Sequence, residues 1–156
     1  ATLSPLPGFQ RWLIEERDHP SDQQHPRVQK GLQALANAGA LERMFVDRSW
    51  LRDDAALAKA HQPLTVLAAH FLMREKYGAD VRDRVANFHL SNGASIDRIN
   101  FPADISRRGQ KQSAGLMVNY RYRLTEIETN HESYHGKGEI AHSRTIASLL
   151  RIRLPD

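Results

Sequence analysis

The chain has 156 residues, one domain's worth, with 40% hydrophobic and 26% charged side chains, ordinary globular usage that excludes intrinsic disorder, collagen-like repeats and coiled coil. Its 22 basic and 18 acidic residues leave a net charge of +4, and it has no Cys, which excludes disulfides, thiolate zinc sites, iron–sulfur clusters and a cysteine nucleophile. No apolar run approaches the ~20 residues of a bilayer span, and the basic residues at Arg107-Arg108-Gly109-Gln110-Lys111, Arg121 and Arg123 lack the interleaved aromatics of a base-stacking surface, so neither a membrane nor a nucleic acid is expected as a partner.

Residues 1–14 read as a strand end and a Pro-rich turn. Pro5 and Pro7 flank Leu6 and Gly8 follows, a combination through which no helix passes; Phe9 to Glu16 suits a short helix, and the polar stretch from Asp18 to Pro26 a loop. Residues 26–78 read as helical. Val28, Leu32 and Leu35 predict a helix from about Pro26 to Met44, weakened by Gly31 and Gly39. Ser49 is placed to cap another, through about Ala60. Leu64, Leu67, Ala68, Phe71 and Leu72 give the clearest helical stripe, with Pro63 in its first turn and Gly78 past its end.

Residues 84–101 read as a β-hairpin. Val85 to Leu90 alternates, Ser91-Asn92-Gly93 forms the loop, and Ala94 to Phe101 returns. This register pairs Phe88 with Ile96 and Leu90 with Ala94 on an apolar face, leaving Asn87, His89, Ser95 and Asp97 on the polar one. Residues 105–156 read as mostly helical. Ser106 to Arg123 suits either a helix or a loop followed by a strand. Leu124, Ile127, His131 and Tyr134 make a helical stripe that a Thr125/Glu128 capping box opens and Gly136 closes, and Ile146, Leu149 and Leu150 mark a last helix. The class is α+β.

Three constellations have chemical potential. His131-Glu132-Ser133-Tyr134-His135 matches H-E-x-x-H, which on a helix sets two His on one face for zinc. The third ligand of the longer pattern is missing, since Ala141 stands where it belongs and His142 comes one residue late. A surface helix with two His is therefore the better reading, and no metal is expected. His89 beside Asn87 is the second; on the polar hairpin face Asp97 is placed to orient its imidazole or raise its pKa. Ser4 is the third: the rigid turn after it fixes a hydroxyl well.

Several stretches together resemble the malonyl-CoA decarboxylase family. They are Leu3-Ser4-Pro5-Leu6-Pro7-Gly8-Phe9, Val85-Ala86-Asn87-Phe88-His89-Leu90, Asn92-Gly93-Ala94, Arg98-Ile99-Asn100, Ala103-Asp104, Ser106, Gly109, Ser113, Gly115-Leu116-Met117 and Asn119-Tyr120-Arg121-Tyr122. They occur in the family's order across nearly the whole chain. The resemblance implies the C-terminal part of a GNAT-like (N-acetyltransferase-like) catalytic domain, with 26–78 as a helical insertion. It implies a reaction of malonyl-CoA to acetyl-CoA and carbon dioxide, a carboxy-lyase step of fatty acid metabolism, without metal or organic cofactor. Ser4 matches the family's catalytic serine, the proton acceptor, and His89 its catalytic histidine, the proton donor.

Loss of carbon dioxide from a malonyl thioester leaves an enolate, so the chemistry needs donors for the enolate oxygen, a held carboxylate and a general acid at Cα. Ser4 and His89 are candidates for catalysis and substrate binding, and Asn87, Asn119, Tyr120 and Tyr122 for pocket donors. The chain departs from the family where Phe101-Pro102 stands in place of an expected Trp and apolar residue. It departs again at Ser95 and Asp97, where large apolar side chains are known, so the resemblance does not support Asp97 as the orienting group. The family's N-terminal helical domain and CoA pyrophosphate loop have no counterpart expected in this stretch of sequence. The expectation is a C-terminal segment, inactive alone, that packs against the missing part of its parent in a cytoplasmic homo-oligomer. The alternative is a CoA-thioester-binding, acyltransferase-like protein with another reaction.

Overall fold

The structure, a computed structural model, describes residues 2–47 and 49–155. Its elements follow as β1 (Thr2–Pro5), α1 (Phe9–Asp18), a 3-10 turn (Ser21–Gln23), α2 (Pro26–Asn37), α3 (Arg43–Val46), a second 3-10 turn (Ser49–Arg52), α4 (Asp54–Arg74), β2 (Lys76–Tyr77), β3 (Asp80–Val81), α5 (Arg84–Ser91), β4 (Ser95–Asn100), α6 (Arg107–Ser113), β5 (Met117–Arg121), α7 (Ile127–Lys137) and α8 (Arg144–Arg151). The class is α+β, as the sequence predicts.

The main sheet is antiparallel with order β1-β5-β4. Thr2 pairs with Tyr120 and Ser4 with Val118 on one side of β5, and Ile96 pairs with Tyr120 and Ile99 with Val118 on the other. Paired residues share a sheet face, and this face is buried: Ile96, Val118 and Tyr120 are wholly covered. Ile96 and Ile99 are an odd number of residues apart, so a regular strand would point them to opposite faces. A register shift between Ile96 and Arg98 inserts the extra residue that returns both to the core.

The helices pack on that face around an aromatic cluster. Phe71 of α4 lies 5.8 Å from Phe9 and 5.2 Å from Trp12, both of α1, within the range of favourable ring pairs. Gly31 of α2 faces α4 so closely that a Cβ there would come within 2.6 Å of Leu67. The glycine that weakens the helix in sequence terms is what lets the two helices meet.

Four boundaries differ from the sequence reading. The helix from Pro26 to Met44 is broken, with α2 ending at Asn37 and the short α3 starting at Arg43. The two helices expected either side of Ala60 are one, α4, with Pro63 inside it; Thr65 donates its hydroxyl to the carbonyls of His61 and Gln62 beside the proline, at 2.9 and 3.1 Å. Residues 105–156 hold a strand as well as helices, because 106–123 is a helix followed by β5. Finally, α7 starts at Ile127 without a side-chain cap bond and runs through Gly136, which leaves Leu124 93% exposed.

The β-hairpin at 84–101 does not form. Residues 84–91 are the helix α5, and β4 pairs with β5 instead. Asp83 decides this by accepting a hydrogen bond from the Ala86 N–H at 3.0 Å, an N-cap that starts a helix. Helical spacing then buries Ala86, His89 and Leu90, at i, i+3 and i+4, and turns Phe88 outward, 63% exposed. The apolar pair of Phe88 and Leu90 that the hairpin required is thereby split.

A buried histidine outside the site gives the fold a pH dependence. His70 is 3% exposed, and its Nδ1 accepts from Arg27 Nη1 at 2.9 Å; a guanidinium has only donors, so this contact sets the neutral tautomer. His25, Arg27 and Arg74 face it, with Glu75 at 3.9 Å. Burial first, then those positive neighbours, lower its pKa from 6.5 to about 4. The unfolded chain binds this proton first as pH falls, so the contribution is complete above 6.5 and is lost between there and about 4, a loss of about 3 kcal/mol. Urea unfolding at pH 7 and pH 4.5 will show a smaller pH loss for His70→Gln than for wild type; equal losses would rule His70 out as the titrating group.

Candidate active site

The two residues that the resemblance singles out lie 85 positions apart and meet. Ser4 Oγ is 3.1 Å from His89 Nε2, in a buried contact. The His89 Nδ1 lies 2.6 Å from the Tyr122 hydroxyl. Both ring nitrogens are thus engaged, one by β1 and one by the residue just past β5. Asp97 does not orient the ring.

Each member is held by local structure. Ser4 is the third residue of β1, paired with Val118, and 9% exposed. The chain after it cannot continue as a strand because of Pro5 and Pro7, and the Leu6 N–H instead donates to Ser113 Oγ of α6 at 2.9 Å. His89 sits near the end of α5, whose exit passes Gly93 at φ +88, where a Cβ would collide with the Ile127 carbonyl of α7. The Tyr120 ring stacks on His89 at 4.2 Å and 19°.

Burial sets the protonation states. It holds His89 below the ordinary imidazole range and raises the phenols of Tyr122 and, much further, Tyr120. Near neutral pH the site is therefore a neutral imidazole between an alcohol and a neutral phenol. Its two tautomers run the chain in opposite directions. With the proton on Nδ1, His89 donates to Tyr122 and accepts from Ser4; with it on Nε2, His89 donates to Ser4 Oγ and accepts from Tyr122. Such a group can give or take a proton at one fixed point. The Tyr120 hydroxyl is buried without a partner.

The other candidates have different surroundings. Asn87 Oδ1 accepts from the Tyr134 hydroxyl at 2.6 Å, and the Tyr134 hydroxyl oxygen in turn accepts from the Val81 N–H at 2.9 Å. Asn119, next to Tyr120 in β5, faces the other side of the sheet, where it accepts from Asn100 Nδ2 and donates to the Thr2 carbonyl. The His131 and His135 rings lie 4.5 Å apart on α7, tilted by 58°, and His131 Nδ1 donates to the Ser91 carbonyl. Among the described residues no cluster of three or more metal-binding side chains occurs; through His131 the motif ties α7 to the end of α5. The basic cluster of α6 lines a cavity of about 1520 Å³ with Arg11 and Arg52; neither Ser4 nor His89 borders it. The sequence reading missed Asp83, whose signal was a capping residue three positions before Ala86.

Comparison with known proteins shows what the chain is similar to. Residues 1–155 match the family model described as the malonyl-CoA decarboxylase C-terminal domain. The chain is 31% identical to the mitochondrial malonyl-CoA decarboxylase of Anser anser anser and 35% identical to that of Mus musculus, in each case over 96% of this chain and 32% of the relative. It is similar to the crystal structure of malonyl-CoA decarboxylase from Rhodopseudomonas palustris (TM-score 0.80, 38% identity, 95% of this chain and 32% of that one). A second such structure, from Agrobacterium vitis, gives TM-score 0.76 and 38% identity over 95% of this chain and 34% of that one. The chain thus spans about a third of the length of the relatives it matches.

Because burial favours its neutral form, His89 will titrate below the ordinary value of 6.5. The check is the imidazole C2 proton shift followed by NMR across pH 4 to 8, assigned with His89→Gln; a midpoint above 6.5 would contradict the site described here.

Proposed function

Since the chain belongs to the malonyl-CoA decarboxylase family, matching its C-terminal domain over residues 1–155, we propose that it supplies the serine and histidine of a site that converts malonyl-CoA to acetyl-CoA and carbon dioxide. The single observation that supports this reading is the buried 3.1 Å contact of Ser4 Oγ with His89 Nε2.

The reaction breaks the bond from Cα to the carboxylate. The electron pair passes into the thioester to give an enolate, and a proton then goes to Cα. Ser4, fixed where β1 stops, donates its hydroxyl to the malonyl carboxylate and orients it. In the tautomer with the proton on Nε2, His89 directs an N–H into the space beside Ser4. Once carbon dioxide has left, that proton moves to Cα as general acid catalysis, a contribution of typically 10²–10⁴-fold. Tyr122 donates to Nδ1 meanwhile and offsets the charge left on the ring. Tyr120, stacked on the imidazole, excludes water and fixes its plane. A proton from solvent restores the ring, so one carboxylate and one proton become carbon dioxide and a C–H bond.

The remainder of the parent protein completes the site: it binds the nucleotide end of CoA and supplies donors to the enolate oxygen. Without it this segment has no turnover.

In the full-length parent, Ser4→Ala and His89→Ala each lower the turnover of malonyl-CoA at least about a hundredfold, with the circular dichroism spectrum of the folded protein retained. Tyr122→Phe, which removes one hydrogen bond, lowers it about tenfold. Carbon dioxide release is the measurement, and a rate near wild type in either alanine variant removes that residue from the mechanism.

A further inference from the structure

Ser4 and His89 sit on elements that share no backbone ladder: β1 belongs to the sheet, and α5 packs outside it. Something must set the distance between them, because a displacement of about 1 Å at reacting groups can cost a hundredfold in rate. Asp83 is placed to do so. It is 2% exposed, and its two carboxylate oxygens go to two different segments. Oδ2 accepts from the Ala86 N–H at 3.0 Å, at the start of the helix that carries His89. Oδ1 accepts from the Gly8 N–H at 3.3 Å, at the end of the turn that follows Ser4.

We propose that Asp83 is a positioning residue, a buried carboxylate clamp that joins the Ser4 turn to the His89 helix and so sets their separation. This rests on the reading of Ser4 and His89 as the reacting pair. An N-cap alone needs one oxygen, and an exposed Ser or Asn would serve. A carboxylate that burial makes costly to ionise, as its raised pKa reflects, is kept where it makes two bonds to backbone amides that a shorter side chain would not span. The turn is also held by Ser113 at the Leu6 N–H. Loss of the clamp therefore loosens the geometry without unfolding the turn.

The test is Asp83→Ser in the full-length parent. The serine hydroxyl still caps the Ala86 N–H but does not reach Gly8. Turnover of malonyl-CoA falls at least about tenfold, KM stays within threefold of wild type, and a crystal structure of the variant shows Ser4 Oγ and His89 Nε2 beyond hydrogen-bond reach. A turnover within twofold of wild type overturns the proposal, and so does a slower variant that keeps the 3.1 Å contact. Should the serine variant not fold, Asp83→Asn is measured in the same two ways, since its amide leaves one of the two N–H groups facing another donor. If the wild-type parent releases no carbon dioxide from malonyl-CoA, the assigned reaction fails, and the crystallographic separation alone decides the clamp.

Discussion

A buried imidazole with both nitrogens engaged is the constraint on which the rest of this molecule turns. An unpaired buried ring nitrogen carries a full desolvation penalty, so His89 is held only where Ser4 and Tyr122 reach it together, at 3.1 and 2.6 Å. Those partners come from the first strand and from the residue after the last one. The contact therefore exists only when β1, α5 and β5 have all been placed.

Several features that look like defects in a list of residues serve that placement. The prolines after Ser4 end a strand that would otherwise carry its hydroxyl onward along the sheet. The shift between Ile96 and Arg98 costs β4 its regularity and keeps the face under Tyr120 apolar. Tyr134, on a helix whose sequence resembles a zinc motif, joins Asn87 of α5 to the Val81 amide and so braces the helix that carries His89.

How much was legible depended on range. The stripe from Leu64 to Leu72 identified the α4 core correctly, since a 3.6-residue period needs no partner to be read. The same arithmetic went wrong at Val85 to Leu90, where alternation suggested a strand. The deciding signal was a single aspartate outside the window, and Phe88, the largest apolar residue there, is the one that faces outward. Ser106 to Arg123 was open between two readings because its strand is stabilised by β1 and β4, neither of which is near it in the chain. Ser4 and His89 were found through resemblance to a family, not through any local pattern.

By itself the sequence determined the α+β class, the Pro-rich stop after Ser4, the lack of thiol chemistry and the most apolar helix, all of which follow from residue type and near-neighbour spacing. Tertiary structure decided which nitrogen of His89 meets Ser4, that Tyr122 and not Asp97 takes the other, and that Asp83 links the two halves of the site. The physical reason is distance along the chain: hydrogen bonds between residues dozens of positions apart form only after the core has closed, and no periodicity encodes them in advance.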